Sequence, residues 1–121
     1  MKLLIVEDNP GVRRVIRSLV AGLADDIREC ADGAEALPLY HTRRPDVVLM
    51  DIEMKTMDGI TATRHITAAD RSARVIIVTD YDHPDLREAA REAGACGYLA
   101  KDNLLDLLAL LAAEQRRRQP N

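Results

Sequence analysis

Five polar positions carry the chemistry this sequence could do, and each follows a short apolar run. Glu7 and Asp8 come after Leu3–Val6, Asp51 after Val47–Met50, Thr79 after Val75–Val78, and Lys101 after Tyr98–Ala100. Taken singly, an acidic residue after a strand is commonly a solvated loop residue or a helix cap, and a lone lysine is commonly a surface group. Taken together they form a set, because residues that end neighbouring parallel strands meet in space whatever their separation along the chain. Carboxylates gathered in one crevice repel one another and are costly to desolvate, which favours a site that holds a divalent cation. A hard cation with oxygen ligands, Mg²⁺, suits that donor set.

The elements that must position these groups are legible in the apolar pattern. The runs at Leu3–Val6, Val47–Met50 and Val75–Val78 are short and continuous, as in strands of a parallel sheet buried on both faces. Ile27–Cys30 and Tyr98–Ala100 are weaker candidates for two more strands. Val12, Val15, Ile16, Leu19, Val20 and Leu23 recur at helical spacing and are expected on one face, behind an Asn9 cap and Pro10 in the first turn. Further helices are expected over 34–43, 59–69, 84–93 and from Asn103 to about Arg117, with Pro38 expected to kink the second helix or delay its start. In the last helix six leucines between Leu104 and Leu111, taken at 100° per residue, cover about 220° of the circumference. Deep burial or a partner interface would account for so wide an arc. Five strands alternating with five helices make an α/β doubly wound sheet, whose functional crevice lies at the carboxyl ends of the strands.

Composition narrows the function classes. A chain of 121 residues is one domain in size, and 47% apolar residues are too many for disorder. No apolar run reaches the roughly 20 residues needed to span a bilayer. With 17 basic and 20 acidic residues the net charge is −3, which does not favour nucleic acid or an anionic membrane as a partner of this segment alone. The only aromatics are Tyr40, Tyr81 and Tyr98, too few for base-stacking platforms. Cys30 and Cys96 lack metal-type spacing and read as small core residues in a reducing, cytoplasmic setting, with no signal peptide before the first strand. His41, His65 and His83 share no ligand spacing.

The whole chain resembles the receiver domain of two-component response regulators. The resemblance rests on Glu7-Asp8, on Asp51 within Val47–Met54, on Met57-Asp58-Gly59, on Thr79, and on Gly97–Asp102 with Lys101. Separations of 43 (8 to 51), 28 (51 to 79) and 22 (79 to 101) residues are similar to the family's. It implies a flavodoxin-like (βα)5 sandwich with a five-stranded parallel sheet. It also implies that Asp51 accepts a phosphoryl group from a sensor histidine kinase or a phosphotransfer protein. On that reading Asp8 and Asp51 bind Mg²⁺ directly, Glu53 adds its backbone carbonyl, and Glu7 acts through water. Lys101 pairs with Asp51 and then with a phosphoryl oxygen, and Thr79 donates to another oxygen. Tyr98 turns inward as Thr79 moves, altering the face made by the fourth helix, fifth strand and fifth helix, so that Thr79 and Tyr98 form a two-state switch. Arg13, Arg14 and Arg17 lie off the apolar stripe of the first helix, which in the family often docks the phosphodonor.

Departures from the family pattern set further expectations. Met54 and Lys55 stand where a proline is common, and Asp102 follows Lys101 where a proline joined by a cis bond is frequent. The Lys-Asp pair looks like the receivers of LuxR/NarL-like regulators, which carry a helix-turn-helix output domain. Asp80 follows Thr79 where a small residue is usual, so Asp80 and Tyr81 are expected to modulate the site. Residues 1–114 are expected to form the receiver and 115–121 a tail or the start of a linker. Phosphorylation is expected to strengthen a homodimer through the face containing Tyr98 and the leucine-rich helix. Three alternatives remain open from sequence. One is a pseudo-receiver that binds partners without phosphorylation. Another is a phosphatase with an aspartyl nucleophile, which usually needs a second Asp where this chain has Glu53. The third is a flavin or dinucleotide binder, disfavoured because no GxGxxG follows Val6.

Overall fold

The computed structural model describes residues 1–118. Five strands, β1 (Lys2–Val6), β2 (Asp26–Cys30), β3 (Val47–Met50), β4 (Val75–Thr79) and β5 (Gly97–Ala100), pair in parallel in the order β2-β1-β3-β4-β5. The helices between and after them are α1 (Pro10–Val20), α2 (Gly33–Arg43), α3 (Gly59–Ala69), α4 (Pro84–Glu92) and α5 (Asp106–Arg118), with a 3₁₀ turn over Lys101–Asn103. This is the doubly wound sheet expected from the alternation of elements, in the flavodoxin-like (βα)5 form that the family resemblance implies.

Because side chains alternate across a strand, the three central apolar runs feed two separate cores. Leu4, Val6, Val48, Met50, Val75 and Ile77 face α2, α3 and α4 and pack on Ala36, Tyr40, Ala62, Ile66 and Ala90. Leu3, Ile5, Val47, Leu49, Ile76 and Val78 face the other way, onto Ile16 and Val20 of α1 and Leu107 and Leu111 of α5. Each fully buried aliphatic side chain is worth about 1.5–3 kcal/mol, so slipping a strand by one residue would exchange its core-facing sets and cost several of them.

Four expectations change in three dimensions. Val15 is 50% exposed, because α1 ends at Val20 and rests on Ile16 and Val20, with Val12 and Leu19 at the margins. The helix α2 starts at Gly33 and runs through Pro38 without a delayed start. Asp32 caps it by accepting the Ala34 N–H at 2.9 Å, and the Thr42 hydroxyl donates to the Pro38 carbonyl at 3.0 Å. The last helix begins only at Asp106, so Leu104 and Leu105 belong to the preceding turn and a helical wheel misplaces them. Leu107 and Leu111 are fully buried, whereas Leu105 is 75% exposed. Of the two cysteines Cys30 is buried, but Cys96 is exposed at the start of β5, where its thiol lies 3.8 Å from Glu114 Oε1. At its far end α5 continues as regular helix to Arg118, which pairs with Asp46 at 2.8 Å. Residues 119–121 of the expected tail lie outside the described residues. All described peptide bonds are trans, Lys101–Asp102 included.

Candidate functional site

Strand register builds the site. Val6 pairs with both Cys30 and Met50, so Glu7 and Asp51 leave adjacent strands side by side, and the Asp51 N–H donates to the Val6 carbonyl at 2.9 Å. Thr79 pairs with Ala100, which places Lys101 one step beyond it. Carboxylate oxygens of Glu7, Asp8 and Asp51 all lie within 4.8 Å of one another. Glu7 is almost wholly buried, Asp51 is buried and Asp8 is exposed at the rim. The crevice above them encloses about 290 Å³ and is lined by Asp8, Asp51, Glu53, Asp80, Tyr81 and Lys101 among others.

Lys101 reaches into this cluster, but its nearest partner differs from the expected one. Its Nζ lies 2.5 Å from Glu7 Oε1, 3.4 Å from Asp51 Oδ2 and 3.9 Å from Asp80 Oδ2. The reason is local: Asp51 Oδ1 already accepts the Ile52 N–H at 2.9 Å, whereas neither Glu7 oxygen has a partner in hydrogen-bond geometry. Burial pushes the Glu7 carboxyl above its ordinary range, and the adjacent Asp51 pushes it the same way. Asp8 is raised as well, by burial and then by Glu7. For Lys101 burial works to lower the ammonium's pKa, but Glu7, Asp51 and Asp80 outweigh it and the net shift is upward. Three carboxylates facing one ammonium leave the cluster short of positive charge. Close carboxylate oxygens, those of Glu7 and Asp51 buried and sharing one ammonium, fit a hard divalent cation such as Mg²⁺.

The remaining expected residues surround this cluster. Glu53 lines the crevice, but its carboxylate is outside the converging three and lies against the Tyr81 phenol, which it holds above its ordinary range. Thr79 is fully buried and its Oγ1 accepts the Tyr81 N–H at 3.4 Å. Asp80 is exposed at the mouth, 72% by side chain. Tyr98 stands apart from the carboxylates, half-buried, with its hydroxyl donating to the Tyr81 carbonyl.

Asp32 was not singled out from sequence, and Gly59 and Arg13 take supporting parts that the sequence did not assign them. Asp32 accepts N–H groups from Thr56 at 2.8 Å and Met57 at 3.1 Å, which ties the loop after β3 to the start of α2. The Ala34 N–H at the helix start, followed by these two bonds, holds its carboxyl below the ordinary range. Gly59 donates its N–H to the Ile52 carbonyl at 2.7 Å, and a Cβ at this position would overlap the Asp51 carbonyl. Only the Asp-Gly pair at 58–59 hinted at a tight approach here. Arg13 donates to the Glu7 carbonyl at 2.6 Å and to Glu29 at 3.2 Å, and Arg17 also reaches Glu29, so two of the three α1 arginines are engaged within the fold.

The response regulator receiver domain model matches residues 3–112. This chain belongs to the response regulator receiver domain family. It is 34% identical over 100 residues to sporulation initiation phosphotransferase F of Bacillus subtilis (strain 168), covering 83% of this chain and 81% of that protein. To response regulator MprA of Mycobacterium sp. (strain KMS) it is 32% identical over 122 residues, covering all of this chain and 53% of that protein. The receiver therefore spans about half the length of MprA. Among solved structures, a two-component response regulator of the LuxR family from Aurantimonas sp. SI85-9A1 superposes with a TM-score of 0.90 at 35% identity, covering 98% of this chain and 86% of that one. Receiver domains are signalling modules that interact with histidine kinases or phosphotransfer proteins. No helix among the described residues is long and apolar enough to cross a membrane.

Proposed function

We propose that this receiver accepts a phosphoryl group on Asp51 from a sensor histidine kinase or a phosphotransfer protein and relays the change to an output. The observation that carries this reading is the meeting of Asp51 with Glu7, Asp8 and the Lys101 ammonium at the ends of β1, β3 and β5. Glu7, Asp8 and Asp51, with the backbone carbonyl of Glu53, would hold Mg²⁺, whose charge offsets that of the carboxylates and of the phosphoryl oxygens. Asp51 is the natural nucleophile because its Oδ1 is fixed by the Ile52 N–H while Oδ2 faces Lys101. Phosphoryl transfer needs positioning and neutralisation more than covalent chemistry from the protein. Lys101 would follow a phosphoryl oxygen as a mobile point charge, and the Thr79 hydroxyl would donate to another.

Thr79 and Tyr98 would then act as the switch, since both bond to Tyr81, one to its N–H and one to its carbonyl. Movement of Thr79 toward the phosphoryl group would disturb both contacts and alter the α4-β5-α5 face. A DNA-binding output domain in a longer protein, cytoplasmic location and phosphorylation-linked dimerisation through that face complete the proposal. The LuxR-family likeness and the partial coverage of MprA support the first of these. Acetyl phosphate with Mg²⁺ should add one phosphoryl mass to the wild type and none to Asp51→Asn, and equal labelling of the variant would sink the assignment.

A further inference from the structure

Beside the acidic crevice, four residues close a ring across α4, β5 and the loop that joins β4 to α4. Arg87 of α4 donates from Nε to Asp82 Oδ1 at 2.6 Å, and Asp82 lies in that loop. The same guanidinium covers the Tyr98 ring on β5, with its central carbon 4.6 Å from the ring centroid. Tyr98 in turn donates its hydroxyl to the Tyr81 carbonyl, one residue before Asp82. The Tyr81 N–H leads back to Thr79.

Each link alone is ordinary. The Arg87–Asp82 pair is about half exposed on both sides and as an isolated ion pair would contribute little. Its geometry matters more than its energy, because a planar guanidinium can bond in its plane to a carboxylate while its face rests on an aromatic ring. An ammonium is a compact point charge with no planar face to lay on the ring while it bonds to the carboxylate. Tyr98 is thereby held at two points, the hydroxyl by the loop backbone and the ring by Arg87, and Arg87 is itself fixed to the same loop. For the Tyr98 ring to leave this rotamer, the hydroxyl bond and the cation–π contact must both be given up.

We propose that Arg87 is a positioning residue that holds Tyr98 in this rotamer and couples it, through Asp82, to the loop leaving Thr79. Its regulatory consequence rests on the reading of Thr79 and Tyr98 as the switch. Removing Arg87 then shifts the balance between Tyr98 rotamers, and with it the ease of reaching the phosphorylated conformation, by the two- to fivefold typical of an exposed cation–π contact.

Ring-labelled tyrosine NMR suits the test, because Tyr40, Tyr81 and Tyr98 are the only three aromatic residues. Spectra and beryllofluoride titrations with Mg²⁺ would be recorded for the wild type, Arg87→Ala, Arg87→Lys, Tyr98→Ala and the Arg87→Ala/Tyr98→Ala pair. The expected results are a displaced Tyr98 signal in Arg87→Ala without beryllofluoride, a midpoint moved about two- to fivefold, and partial recovery in Arg87→Lys. In the Tyr98→Ala background Arg87→Ala should have no further effect on the midpoint. An unmoved Tyr98 signal, or the same midpoint change with and without Tyr98, would overturn the proposal. If wild-type protein fails to respond to beryllofluoride, the phosphoacceptor reading fails instead, and the Tyr98 signal in the unliganded variants still decides whether Arg87 holds the ring.

Discussion

Replacing Asp51 with Asn should stabilise the metal-free fold while destroying its function. With the three carboxylate oxygens within 4.8 Å, each pair of ionised groups repels by about 3.5 kcal/mol at an effective dielectric of 20. Lys101, 3.4 Å from Asp51, returns about 5 kcal/mol on the same scale. Asp51 faces two such repulsions against one attraction, so its charge is unfavourable by about 2 kcal/mol. Solvent around exposed Asp8 reduces that figure, as does the upward shift of Glu7 by burial. Asn keeps an oxygen for the Ile52 N–H, so little else is lost. Urea denaturation followed by circular dichroism at pH 7.5 in EDTA should show Asp51→Asn more stable than wild type by about 1–2 kcal/mol. In a domain of this size that is a rise of about 4–8 °C in melting temperature. Mg²⁺ at ten times its Kd would add about 1.4 kcal/mol to the wild type and less to the variant, so the gap should narrow. A variant of equal or lower stability in EDTA would refute the view that the cluster is short of positive charge.

Three other perturbations test the surroundings of the cluster. Asp80→Ala should react about three- to tenfold faster with acetyl phosphate, with the gain shrinking as salt rises, because Asp80 sets a negative charge at the mouth 3.9 Å from Lys101 Nζ; equal rates at low salt would show that it does not gate the crevice. Gly59→Ala should lose at least tenfold in phosphorylation rate and about 1–3 kcal/mol of stability, since the added methyl meets the Asp51 carbonyl and must displace the loop; unchanged labelling kinetics would contradict that close approach. Glu114→Ala should cost about 2 kcal/mol by thermal denaturation at pH 7, because buried Glu114 makes two hydrogen bonds to Arg74, at 2.7 and 2.9 Å. The Arg74 bonds hold the Glu114 carboxyl below its ordinary value of 4.5, so this contribution is complete above pH 4.5 and fades as pH falls through the lower folded value. The gap between wild type and variant should therefore close in acid, and a gap that widened there would reverse the sign of the linkage.

The apolar runs and the polar residues that end them were enough to place this chain among doubly wound α/β folds and to bring Glu7, Asp8, Asp51, Thr79 and Lys101 to one edge. The reason is geometric: strands buried on both faces have no solvent side, and in a parallel sheet their carboxyl ends share a rim. What lies outside that reach depends on distances between elements. Lys101 pairs most closely with Glu7 rather than Asp51 because a buried, donor-free carboxylate competes better for one ammonium, and burial of that kind appears only when β1, β3 and β5 are assembled. Asp32 gains its bonds to Thr56 and Met57 only once the loop after β3 folds over it, and the need for glycine at 59 arises only where the Asp51 carbonyl comes against it. Leu105 and Val15 satisfy a helical wheel, yet both are exposed, because the wheel assumes a helix where α5 has not begun and a stripe wider than the sheet covers. Arg74 and Glu114 stand 40 residues apart and show no mutual signal in the chain. Periodicity describes how one element meets a core. Which charges meet one another is decided where several elements close, by the cost of leaving a buried group without a partner.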